Sequence, residues 1–76
     1  MLSFDRVRLA AAIAAINRYN SRQIEFPDRE IGEFRITGAF RASDPDGFAR
    51  AVADMFSLPL IKRPSGTIVL TAAKKA

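Results

Sequence analysis

Cysteine and histidine are both missing from this 76-residue chain, and those two absences exclude more chemistry than any motif suggests. Without cysteine there is no disulfide to staple a small fold and no thiolate, which neither requires nor rules out an oxidising compartment. Without histidine a zinc site would have to be all-carboxylate, an unusual ligand set for that metal. Long apolar runs are scarce too. The longest unbroken one, Leu9 to Ile16, is far too short to span a bilayer. In Met1-Leu2-Ser3-Phe4-Asp5 a carboxylate stands where the apolar segment of a secretory signal would build. The chain is expected to be soluble as given.

Glycine is sparse and dispersed, at Gly32, Gly38, Gly47 and Gly66. That excludes a P-loop and a G-x-S-x-G elbow. Gly38 falls inside an alternating stretch, so it is expected to mark a bulge or a close backbone approach, not a phosphate cradle. Asp28, Glu30 and Glu33 cluster in sequence but lack the glycine-centred loop of a calcium site. No catalytic residue, cofactor site or metal site emerges, and the chain does not read as an enzyme.

What is present is a compact domain. The apolar fraction, 49%, supports a core and argues against disorder. A domain this small buries only about 60% of its unfolded surface. The whole chain, 1–76, reads as one unit. Its most legible part is Phe34 to Phe56. Phe34, Ile36, Gly38 and Phe40 alternate with Arg35, Thr37, Ala39 and Arg41, the period of a half-buried strand. Asp44 suits an N-cap, Pro45 the first helical position, and Asp46 the positive end of the helix dipole. Phe48, Ala51, Val52, Met55 and Phe56 then recur at helical spacing. Phe34, Ile36, Phe40, Phe48, Val52 and Met55 are expected in the core, and the helix over 45–56.

Around that stretch the chain reads as follows. Leu2 and Phe4 flank Ser3 in a short strand, and a helix is predicted over about 7–20, with Asp5 assisting its start. Leu9, Ile13 and Ile16 mark one face, while alanines fill the others, so this helix should be buried on more than one side. Gln23 to Phe26 is a second strand, with Ile24 and Phe26 inward, and 27–32 a polar loop. On the second helix Asp46, Arg50 and Asp54 form a solvated stripe. A fourth strand opens at Leu58, with Pro59 marking a strand start or an edge. Pro64-Ser65-Gly66 turns it into a fifth strand over 67–71, and 72–76 is a frayed basic tail.

Two matched halves are concealed here. Phe4 lies twenty residues before Ile24, and Phe40 twenty before Leu60. Leu9, Ile13 and Ile16 match Phe48, Val52 and Met55 in spacing. Each half is a βαβ unit too short to bury its own helix. The expected fold class is therefore α+β, in the order strand-helix-strand-strand-helix-strand-strand, with two helices side by side and strands above and below.

The net charge is +4, which suits nucleic acid, an acidic membrane surface or an acidic partner. The arginines are scattered, however, and the phenylalanines sit on inferred core faces. Only Tyr19 remains to stack on a base, and there is no GXXG loop. No nucleic-acid partner is expected. A small α/β module without chemistry is left to bind a protein, and strand edges offer unpaired N–H and C=O groups for that purpose.

The order LSFD, INRYN, RQIEF, FRITGAFRASDPDGFARAV and SGTIVL, covering roughly Leu2 to Leu70, resembles the C-terminal periplasmic domain of FecR-type anti-sigma regulators. That domain is similar to the short domain found at the N-termini of secretins and TonB-dependent receptors (STN). Ile16-Asn17-Arg18-Tyr19-Asn20 and Ile36-Thr37-Gly38-Ala39-Phe40-Arg41, with Asp44-Pro45 after, carry the likeness best. The family often opens its first helix with Thr-Pro, where this chain has Val7-Arg8. The resemblance implies two helices sandwiched between a two-stranded and a three-stranded sheet. It also implies a periplasmic receiving domain of an inner-membrane regulator, attached to the membrane only through a segment outside this chain. Such a domain docks the signalling domain of a TonB-dependent outer-membrane transducer and so controls an extracytoplasmic-function sigma factor, often for iron-siderophore uptake. The expected contact residues are Arg35, Thr37 and Arg41, outward on the third strand, on a monomeric domain. Two alternatives stay open: the same domain within a transducer or secretin, which SGTIVLTAAKKA, reading as a natural chain end, disfavours, and a small basic nucleic-acid binder.

Overall fold

The computed structural model describes residues 1–71. The strands are β1 (Leu2–Arg8), β2 (Ile24–Glu25), β3 (Arg35–Phe40), β4 (Leu60–Lys62) and β5 (Ile68–Leu70); the helices are α1 (Leu9–Arg18), α2 (Arg29–Gly32) and α3 (Pro45–Phe56). The class is α+β, as the pattern implied. β1 and β3 pair antiparallel in one sheet, and the other runs β2-β5-β4. Since β2 is parallel to β5 and β4 antiparallel to it, β2 and β4 run in opposite directions, as β1 and β3 do. Each half thus sends its first strand to one sheet and its second to the other. β5 fills the gap between the two second strands.

One core joins both sheets and the helices. Leu9, Ala12, Ile13 and Ile16 of α1 meet Ile24, Ile36, Phe48, Val52, Ile68 and Leu70 there. Phe48, 1% exposed, sits edge-on to Phe40 at 5.0 Å and to Phe4 at 6.2 Å, so α3 is fastened to both strands of the smaller sheet. Phe34 stacks on Phe56 at 4.7 Å. Rings in these arrangements add to what their area burial contributes.

The second helix spans 45–56 as expected, and its start shows why. The Asp44 side chain accepts from the Gly47 N–H at 3.0 Å, and Pro45 follows at the first helical position. Ser57 closes it in the left-handed conformation. The first helix is shorter than expected. Val7 and Arg8 belong to β1, paired with Ile36 and Arg35, and no side chain caps α1. Asp5 therefore has no part in the helix start; the Phe34 carbonyl instead accepts from the Leu9 N–H at 2.7 Å. Tertiary pairing with β3 overrides the local helical preference of these residues.

Four further expectations are corrected. The polar loop 27–32 contains α2, because Ile31 is fully buried and Gly32 lets the chain approach closely: a Cβ there would lie 2.9 Å from the Phe26 ring and 3.2 Å from Ala10. Met55 is 49% exposed and not core. The buried stripe of α3 is Pro45, Phe48, Ala49 and Val52, which turns Met55 to the flank and Phe56 inward. α1 is buried towards both sheets, yet Ala11 and Ala14 are exposed, so its alanine side faces water. The fourth strand begins at Leu60, after Pro59, on an edge of the larger sheet. The expected tail at 72–76 lies outside the described residues.

The matched halves share one frame of thirty-six residues. The buried positions of α1, Leu9, Ala12, Ile13 and Ile16, map onto Pro45, Phe48, Ala49 and Val52 of α3. Phe4 and Ile24 map onto Phe40 and Leu60 by the same step. Matching the large residues of the helices alone slips this frame by three, nearly one turn. In the true frame Met55 corresponds to Tyr19, and both are exposed.

Removing the ring at the centre of this core has a calculable consequence. Phe48→Ala should lower unfolding stability by about 3–5 kcal/mol, read from urea denaturation. Met55→Ala should stay within about 0.5 kcal/mol of the parent. Equal losses for the two would reverse the assignment of the buried stripe.

Candidate functional site

Arg35, Thr37 and Arg41 are all exposed. Arg35 and Thr37 lie on the outward side of β3, Arg41 is the residue just past its end and not in the strand as expected, and Ile36 is buried behind them. The pairing of β1 with β3 arranges this row. Between the pairs Phe4–Gly38 and Val7–Ile36 the register shifts, so Asp5 and Arg6 together face Thr37. That is a β-bulge. Arg6 takes φ 55° and Gly38 φ 150°; the second value is one that side chains rarely tolerate, which favours a glycine next to the bulge, across from Phe4. Gly38 is thus a strand glycine beside a bulge, and the extra residue is on its partner.

Two of the three side chains hold the bulge. Thr37 Oγ1 accepts from the Arg6 N–H at 3.0 Å, satisfying an amide that the register shift leaves without a ladder partner. Arg35 Nη1 donates to the Arg6 carbonyl at 3.1 Å. The Arg41 carbonyl accepts from the Asp44 N–H at 3.2 Å, but among the described residues its side chain makes no hydrogen bond or ion pair. Arg8 lies directly across from Arg35, a like-charge pair that disfavours the sheet by itself. It is eased by Glu33, 3.8 Å from Arg8, and by the turn of Arg35 to the Arg6 carbonyl. These groups are exposed, so the ion pair contributes little to stability.

Sequence reasoning missed two polar clusters. The Asn17 amide closes a two-way bond with Ile24, accepting from its N–H at 2.9 Å and donating to its carbonyl at 3.2 Å. Asn20 donates to the Ile16 carbonyl at 2.8 Å and to the Ala42 carbonyl at 2.6 Å, tying the end of α1 to the chain just after β3. Within Ile16-Asn17-Arg18-Tyr19-Asn20 the two asparagines therefore hold the fold together. Tyr19 is 63% exposed and packs on none of the other rings.

The second cluster centres on Asp46, which is not simply part of a solvated stripe. Arg22 donates to its Oδ2, and Lys62 Nζ stands 3.4 Å from Oδ1. The group joins the turn after α1, the first turn of α3 and the end of β4. Partial burial pushes the Asp46 carboxyl up, but the hydrogen bonds and charges of Arg22 and Lys62 outweigh this, and it titrates below its ordinary value of 3.8. On the outer face of the larger sheet Glu25 and Ile61 flank Val69. The Glu25–Arg63 pair, 3.6 Å apart, bridges the two edge strands across β5.

Among the described residues there is no pocket, no group of three side chains that could hold a metal, and no helix long and apolar enough to cross a membrane. What the surface offers is open strand edge and arginine.

No protein-family model and no curated protein matches this chain, so the roles of these side chains rest on geometry, and two of them can be measured directly. Thr37→Val should cost about 1 kcal/mol, with Thr37→Ser largely restoring it, and should speed hydrogen exchange at the Arg6 amide; unchanged exchange would remove the bulge clamp. For Asp46, a folded-state value below the unfolded one means its contribution is complete above pH 3.8 and fades as the pH falls through the depressed value. Asp46→Asn should therefore flatten the acid limb of the stability profile below that pH and lower the plateau above it. An acid limb identical to the parent's would show that Asp46 gains nothing from Arg22 and Lys62.

Proposed function

We propose that the chain is the signal-receiving, protein-binding domain of a FecR-type regulator. In this reading it lies in the periplasm as part of an inner-membrane protein and docks the signalling domain of a TonB-dependent transducer. The docking event controls an extracytoplasmic-function sigma factor. The observation that carries the reading is the outward row Arg35, Thr37 and Arg41 on a two-stranded sheet, above a core that uses none of the three. Thr37 and Arg35 are ordered by the bulge, and the Arg41 side chain beside them can take a partner without giving up a bond of the fold. The two-layer arrangement of strands around helices is also what the family resemblance implies, and it lends the reading further support.

Titration of the labelled chain with a transducer signalling domain tests it. Amide shifts should centre on 35–41, and Arg41→Glu should weaken binding by roughly tenfold, since a favourable charge contact becomes a repulsive one. No shifts at millimolar partner would sink the proposal, and saturable binding to oligonucleotides with a steep salt dependence would replace it.

A further inference from the structure

The two sheets present four outer strand edges, and three of them are closed. On β2 the Ile24 N–H and C=O point to one side of the strand, and both are taken by the Asn17 amide. β4 is only three residues long and lies between Pro59 and Pro64, and short proline-bounded edges resist added strands. On β1 the bulge with Arg6 at φ 55° breaks the line of the backbone. β3 differs. It runs six residues without proline, the bulge lies on its partner, and among the described residues no backbone or side-chain group bonds Ile36 to Phe40 apart from β1 and the Arg6–Thr37 contact.

The charges beside this edge say what can occupy it. Antiparallel pairing of β3 with β3 of a second copy, centred on Gly38, would set Arg35 against Arg41 of the other chain at both ends. Like charges directly opposed are destabilising, so the edge is guarded against self-association. A foreign strand with carboxylates six positions apart would meet Arg35 and Arg41, which are about 20 Å apart along an extended chain. Between them it would face only Thr37 and Ala39 on the outer side.

Resting on the reading above, we infer that the partner binds by adding an acidic strand to the free edge of β3, with carboxylates at i and i+6. The probe is a nine-residue peptide of alternating valine and threonine with glutamate at positions 2 and 8, titrated into the labelled 76-residue chain. Amides of 36–40 should shift and gain exchange protection, and sedimentation should show a monomer without peptide. Arg41→Glu should weaken the peptide roughly tenfold, and a peptide with lysine in place of the facing glutamate should restore it. Shifts confined to β1 or to the larger sheet, equal affinity for a scrambled peptide, or a dimer of the free chain would each overturn the assignment. The two ideas separate cleanly. A signalling domain that binds through 35, 37 and 41 without protecting 36–40 leaves the function standing and removes strand addition. Peptide addition at β3 with no binding of the signalling domain does the reverse.

Discussion

Neither half of this chain can bury its own helix, and the rest of the structure follows from that constraint. A ten- or twelve-residue helix flanked by two strands has too little sheet to cover it. Each half therefore splits its strands between the two sheets, and both helices are covered from both sides. The two helices present the same four buried positions, but the sizes are exchanged. Ala12 in α1 stands where α3 has Phe48, and Ile13 where α3 has Ala49. Interiors pack densely, and the exchange keeps the two halves from bringing the same bulk to the same position.

That exchange also marks the limit of what was legible in the sequence. The fold class, the order of the main elements and the whole of α3 could be read from alternation, from Asp44-Pro45 and from helical spacing. These signals are local and survive into the structure unchanged. The core face of α3 was read from its bulky side chains, and this misplaced Met55 by favouring size over the frame that Phe4, Ile24, Phe40 and Leu60 already set. The start of α1 was misread for a different reason. Nothing within Val7-Arg8 announces a strand; its pairing partner lies on β3, nearly thirty residues away. Ile31 was hidden among charges, and only its burial beneath α1 reveals α2.

For the surface, the sequence supplied the outward row but not its duties. Alternation along β3 placed Arg35, Thr37 and Arg41 on one side. It carried no sign that Thr37 and Arg35 would bind Arg6, because the bulge exists only when β1 and β3 come together. The Asp46 cluster was equally hidden, since Arg22 and Lys62 approach it from other parts of the chain.

The bulge shapes both the stability of the smaller sheet and the strand edge proposed for a partner. By adding a residue to β1 it closes that strand's edge, and by placing the extra residue against Thr37 it leaves β3 regular except at Gly38. It also fixes Arg35 through the Arg6 carbonyl, which shortens the reach of that guanidinium and lowers the ordering cost of any contact it makes with a partner. Arg41 has no such tether and must be ordered on binding. The two arginines at the ends of the row are thus unequal: one is held in place by the fold, the other is free to adapt. A partner strand aligned by Arg35 would let Arg41 close on it second, and the affinity would then depend on how well the far carboxylate is placed.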